Sequence, residues 1–163
     1  MTLALGDALA VALLERRGFT ADDYKVFHPG GQLGRKLYKV QDLMHTGDQI
    51  PCVSPSAPLT QGLMEMTSKG LGMTAVSDAS GKLLGIFTDG DLRRALDQDI
   101  DIRKQTMAEV MVTKCRTALP EMLAAEAVHL LEQYKINSLV VVDESGQLVG
   151  ALNMHDLFRA GVM

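Results

Sequence analysis

The chain has 163 residues, 47% of them apolar, and a formal charge of -4, so it can bury one good core, and its size favours one compact domain plus an appendage. Lysine and arginine are spread along it without a basic stripe, and only 4% of residues are aromatic, which argues against nucleic acid and against base stacking. Two distant cysteines, no basic leader and no apolar run long enough for a bilayer point to a reducing, cytoplasmic setting without membrane contact.

In chain order, residues 3–17 read as an apolar-rich helix stopped at Gly18, followed by a second short helix near residues 21–27 and the glycine-rich loop HPGGQLGRKL. The first helix carries too much apolar surface to stand in water by itself, so it reads as the end of something larger. From residue 40 a unit of about 55 residues occurs twice, and such a repeat decides the fold. VQDLM, a helix and TAVSDASGKLLGIFTDGDLRRAL in residues 40–96 return as MAEVM, a helix and SLVVVDESGQLVGALNMHDLFRA in residues 107–160. Gly81, Gly85 and Asp91 match Gly146, Gly150 and Asp156.

Inside the first copy the spacing of Leu59, Leu63, Met66 and Thr67 predicts a helix over 59–69, and the second copy repeats it over 121–134. Strands over 73–77 and 83–87, joined by a turn at 78–81, read as a hairpin, repeated by 139–142, 143–146 and 148–152. Thr88 opens a short helix through residue 96, and Asn153 opens another through residue 160. Each copy is strand, helix, strand, strand, helix. One copy is near the lower limit for folding alone, so the expected fold is mixed α/β: two small sheets packed together with flanking helices, plus a helical leader. The expected boundaries are 1–39 for the leader, 40–97 and 106–163 for the copies, and 98–105 for a polar linker.

Thr88 and Asp91 at the start of a helix suit an anion and a sugar. The helix N-terminus offers unpaired N–H groups, and a carboxylate three residues on can accept two hydroxyl donors. The same two residues also make a helix cap that needs no ligand. In the second copy Asn153 replaces the hydroxyl residue beside Asp156; it caps equally well, which puts a second equivalent site in doubt. Arg93, Arg94 and Arg159 follow the two motifs and suit a phosphate, although outward-facing charges on a helix are more often simply solvated.

Metal readings fail on spacing. His45, His129 and His155 form no ligand pair on one helix, and Asp97, Asp99 and Asp101 begin a calcium-type loop whose sixth and twelfth positions are Ile102 and Ala108. Cys52 and Cys115 read as small buried hydrophobes at similar places in the two copies. No metal and no cofactor are expected.

The twinned unit, each copy closing on GIFTDGD or GALNMHD, resembles a pair of CBS (cystathionine beta-synthase) domains over residues 40–160. The leader TLALGDALAVALLERRGFTADDYKVFHPGGQLGRK looks like the tail of a sugar isomerase domain, and the combination resembles the C-terminal half of the bacterial D-arabinose-5-phosphate isomerases. That family interconverts D-ribulose 5-phosphate and D-arabinose 5-phosphate on the route to Kdo, an acidic sugar of lipopolysaccharide. The resemblance implies that the serine-rich sugar-phosphate loop and the other catalytic residues precede residue 1. It also implies that His28 of HPGG reaches the isomerase active site only in the full-length enzyme. In the CBS family the hydroxyl of the signature contacts phosphate and its aspartate the ribose. Sites in that family lie between the copies, which adds Met73, Thr74, Asn137 and Ser138 to Thr88, Asp91, Arg94, Asn153 and Asp156 as ligand-binding candidates. The implied function is a sensor of a nucleotide or nucleotide-sugar, such as the nucleotide-activated sugar CMP-Kdo, acting on its own isomerase domain within a homo-oligomer. The alternative is an oligomerisation scaffold that binds nothing.

Overall fold

The computed structural model describes residues 2–20, 23 and 37–163 and divides into two units at Leu37 and Tyr38. In the first unit, helix α1 (Thr2–Arg16) is rich in alanine and leucine, both strong helix formers. It ends where Gly18 takes a φ of 63°, with Gly18 N–H donating to the Glu15 carbonyl and Phe19 N–H to that of Leu14. Leu5, Leu9, Val11 and Leu13 of α1 are exposed. The expected helix over 21–27, apart from Asp23, and the HPGG loop with His28 lie outside the described residues.

The second unit holds two copies of one topology. In the first, β1 (Cys52–Val53) is followed by α2 (Leu59–Lys69), β2 (Met73–Ser77), β3 (Leu83–Thr88) and α3 (Asp89–Asp97). A short helix α4 (Met107–Val110) leads to β4 (Thr117–Ala118), α5 (Ala124–Tyr134), β5 (Ser138–Val142), β6 (Leu148–Asn153) and α6 (Met154–Arg159). Each sheet has three strands, in order β1-β2-β3 and β4-β5-β6, with the first pair parallel and the second antiparallel. The mixed α/β expectation therefore holds. α5 begins three residues later than the periodicity predicts, because Leu123 stays extended and gives its N–H to the Glu126 carboxylate at 2.9 Å. β5 begins at Ser138, so Ser138 is the counterpart of Met73 and Asn137 that of Gly72. Cys52 lies within β1, whereas Cys115 lies two residues before β4.

The copies are interlaced. The stretch before each copy's first strand docks on the other copy. Val40 N–H donates to the Met122 carbonyl at 2.8 Å, Ala124 N–H to that of Tyr38 at 2.7 Å, and His45 pairs with Ala151 of β6. In the mirror arrangement Met107 N–H donates to the Ala57 carbonyl at 2.9 Å, and Val112 pairs with Ile86 of β3. Val40 is accordingly buried among Ala124, Leu131 and Leu157 of the second copy. Met107 is buried among Leu59, Met66 and Phe87 of the first. A third cluster mixes Met73 and Ala75 with Val140 and Ala151, where the sheets share one interior. Gly85 and Gly150 allow the crossings: a Cβ at Gly85 would sit 2.8 Å from the Val112 carbonyl oxygen, and one at Gly150 2.4 Å from the Met44 sulfur.

Candidate ligand-binding cleft

Two cavities open where each strand-to-helix turn faces the other copy. The first, of about 540 Å³, is lined by Thr88, Asp89, Gly90, Asp91 and Arg94 from the first copy, and by Lys114, Arg116, Tyr134, Lys135, Asn137 and Ser138 from the second side. The second, also of about 540 Å³, is lined by Gly70, Leu71 and Gly72 opposite Asn137, Asn153, Met154, His155, Phe158 and Met163.

Thr88 ends β3 in extended geometry and caps α3. Its N–H donates to Asp91 Oδ2 at 2.9 Å and its hydroxyl to the same oxygen at 2.6 Å, while Asp91 N–H reaches Thr88 Oγ1 at 3.3 Å. Arg94 donates to Asp91 Oδ1 at 2.6 Å. Asp91 is buried, so both of its oxygens are engaged inside the protein and its charge is balanced there. Asp89 N–H donates to the Gly72 carbonyl, and Gly90 sits in the first helical turn, where the chain has no carbonyl to offer its amide. A ligand here meets first-turn amides and the flank of the Arg94–Asp91 pair.

The second turn has the same backbone and different chemistry. Asn153 Oδ1 accepts Asp156 N–H at 3.1 Å, and Asn153 N–H donates to Asp156 Oδ2 at 2.9 Å. The partner of Asp156 Oδ1 is His45 Nε2 at 3.0 Å, arriving from the crossed segment before β1. Arg159 is exposed at the position matching Arg94. Asn153 Nδ2 also reaches the Gly70 carbonyl at 3.5 Å, a direct link across the cavity mouth.

Among the residues singled out in the sequence, Thr88, Asp91, Arg94, Asn137 and Ser138 meet in the first cavity, and Asn153 lies in the second, which Asn137 also borders. Asp156 is held beneath Asn153. Met73 is completely buried in the shared core, and Thr74 is buried with its hydroxyl on the Gly62 carbonyl at 2.7 Å. Both side chains are spent on packing. Lys114, Arg116, Tyr134 and Lys135 of the first cavity were not expected from motifs. Arg116 lies over the Tyr134 ring, 4.1 Å from its centre. Lys135 has φ 52°, one of two positive values among the described non-glycine residues, where the first copy places Gly70 at φ 69°. A side chain in that conformation costs on the order of 1 kcal/mol. Cys115 borders the same cavity, and partial burial pushes its thiol above the ordinary range, which disfavours the thiolate. Among the described residues no three potential metal ligands cluster, and no helix is long and apolar enough to cross a membrane.

Comparison with known proteins adds the lineage. The chain is 61% identical over 164 residues to the arabinose 5-phosphate isomerase KdsD of Pseudomonas aeruginosa, covering 100% of this chain and 50% of that protein. It is 52% identical over 163 residues to KdsD of Escherichia coli K12, covering 99% of this chain and 49% of that one. The chain thus spans about half the length of the curated relatives it matches. Among solved structures, CBSX2 in complex with AMP superposes with a TM-score of 0.67 at 24% identity, over 77% of this chain and 96% of that one. The CBS domain pair of MJ0100, in complex with 5-methylthioadenosine and S-adenosyl-L-methionine, superposes at 0.68 and 21% identity, over 77% and 97%. The model of the CBS domain matches twice, over residues 40–98 and 107–162, and with the interlaced pair of three-stranded sheets this makes the chain a member of the CBS domain family.

Proposed function

We propose that the chain is the ligand-sensing CBS pair of an arabinose-5-phosphate isomerase and that the first cavity takes a nucleotide or nucleotide-sugar, CMP-Kdo being one such compound. The observation that carries this reading is the cavity at Thr88, where first-turn amides and cations from both copies converge. AMP in CBSX2 and adenosine derivatives in the MJ0100 pair support a nucleotide as the class of ligand. The KdsD relatives support the isomerase as the parent enzyme, with residues 1–39 as the tail of its catalytic domain and His28 serving that domain. The exposed leucines of α1 suit a helix that packs into such a domain.

The regulatory mechanism follows from the interlacing. A ligand bridging the copies favours one packing between them, and residues 38–45 are docked on the second copy while leading directly from residues 1–37. A shift between copies is therefore felt by the segment that joins the isomerase domain. Isothermal titration of adenine and cytidine nucleotides and CMP-Kdo into the chain tests this. Binding that Thr88→Ala weakens supports it, and no heat with any compound overturns it.

The second reading, a scaffold that binds nothing, is favoured by one observation: capping and ion pairing engage both Asp91 oxygens without a ligand. Removing residues 40–163 from the longer isomerase distinguishes the two. A scaffold's loss changes the assembly state, and a sensor's loss changes the response to effector.

A further inference from the structure

The cationic side of the first cavity comes from the second copy, outside both repeated motifs. Lys114, Arg116 and Lys135 line it and are exposed. None has a carboxylate within ion-pairing distance among the described residues. Arg94 is already balanced by Asp91, so three cations face one remaining acid, Asp89. The counterpart cavity has the same size and no lysine or arginine in its wall. Three uncompensated cations in a concave wall raise the local potential and favour a polyanion over a monoanion.

Lys135 adds an observation independent of charge counting. It closes α5 in the left-handed conformation that Gly70 adopts at the end of α2. The backbone at that corner is best served by glycine. The fold therefore gives no reason for a lysine there, whereas its place in the cavity wall gives a chemical one. Arg116 is held on the ring of Tyr134, the residue before Lys135, which restrains its guanidinium at the same wall.

We infer that Lys114, Arg116 and Lys135 form an anion subsite that selects nucleotides carrying at least two negative charges, a nucleoside diphosphate or a nucleotide joined to an acidic sugar. The inference rests on the nucleotide reading above and deepens it. Arg116 and Lys135 are specificity residues for the second acidic group, while the Thr88 turn serves the first.

The test is a titration ladder of cytidine, CMP, CDP and CTP into the intact chain at low and moderate salt, repeated with Lys135→Gly and Arg116→Gln, with inorganic pyrophosphate as competitor. Affinity is expected to rise at least about tenfold from CMP to CDP and to fall with salt. Lys135→Gly should lose most of that rise while melting at the same or a higher temperature, since glycine relieves the backbone. Because that variant keeps its fold, loss of binding is not a folding artefact. Equal affinity for CMP and CDP, or unchanged CDP binding in both variants, overturns the subsite and leaves the nucleotide reading standing. No binding of any rung by the unaltered chain overturns both. Full displacement by pyrophosphate at its own affinity shows a site for free polyphosphate and overturns the nucleotide part of the proposal.

Discussion

One cavity of the pair is walled by Lys114, Arg116 and Lys135 and its counterpart by Met154, Phe158 and Met163, although both hold about 540 Å³ and both open beside the same strand-to-helix turn. The backbone at the two turns is the same: Thr88 and Asn153 are both extended, and each takes the N–H of an aspartate three residues on. What differs is what the other copy brings. The first turn receives cations, and the second receives His45 on Asp156 and a link from Asn153 to the Gly70 carbonyl. The capping residues belong to the fold and are shared, while the charge of each cavity wall is set by side chains outside the caps. A repeat can therefore keep two turns while the walls around them diverge.

The largest expected effect breaks the interlacing. Met107→Ala empties the place where the crossed segment enters the first copy, among Leu59, Met66 and Phe87, and should cost about 2–5 kcal/mol. Chemical denaturation measures the total, and hydrogen exchange should show α2 and β3 losing protection before α5 and β6. Equal loss in both copies would mean that the crossing ties them into one cooperative unit. Gly85→Ala attacks the same crossing from the strand. Its Cβ meets a backbone carbonyl, which cannot rotate away, so a loss of about 1–3 kcal/mol is expected. Gly150→Ala meets first the flexible Met44 side chain and should cost less. A reversed order would show that the second crossing is the tighter one.

The crossing is the part of the fold that sequence pattern hides. The hairpins, the helix over 59–69 and the copy count are local, set by alternation, by Gly81 and Gly146 in the turns, and by caps spaced three residues apart. Residues 40–45 read equally well as the start of their own copy, because the contacts that seat them on the other copy, such as Val40 to Met122 and His45 to Ala151, join residues far apart in the chain. The site divides along the same line. Thr88 and Asp91 are legible as a cap with anion chemistry, and Asn153 as the weaker twin. Lys114, Arg116 and Lys135 carry no motif and reach the cavity only through tertiary packing. One signal was present: aligning the helix ends sets Lys135 against Gly70, and a lysine in a glycine's place at a helix stop asks for a reason. Met73 and Thr74 sit beside the cleft in sequence, but their strand is buried on both faces, and their side chains pack in the shared core and against the Gly62 carbonyl.

A milder pair of changes sharpens the contrast between the turns. Thr88→Ala and Asn153→Ala each remove one cap and should each cost about 1 kcal/mol by thermal melting. Only Thr88→Ala should also weaken nucleotide binding. If Asn153→Ala weakened binding equally, the apolar cavity would be a second site, and the difference between the copies would lie in affinity alone.

The smallest effect concerns the places where the copies do not differ. Asp78 Oδ1 accepts from the N–H and hydroxyl of Ser80 and from Lys82 N–H, and Asp143 Oδ1 does the same with Ser145 and Gln147. In both turns the serine hydroxyl and then the amide two residues further on hold the carboxyl below its ordinary range. A depressed native pKa means that the unfolded chain binds the proton first. The stabilisation is therefore complete above about pH 4 and is lost as pH falls through the native value. Asp78→Asn and Asp143→Asn should each flatten the acid limb of the stability curve slightly and by the same amount, since both residues are half-buried in surface turns where solvent screens the charge. Melting temperatures between pH 5 and pH 2.5 measure this. Equal slopes would show that the hairpins are interchangeable and that divergence between the copies is confined to the cavity walls. Unequal slopes would place part of it in the hairpins, where Lys82 and Gln147 face each other across the sheets.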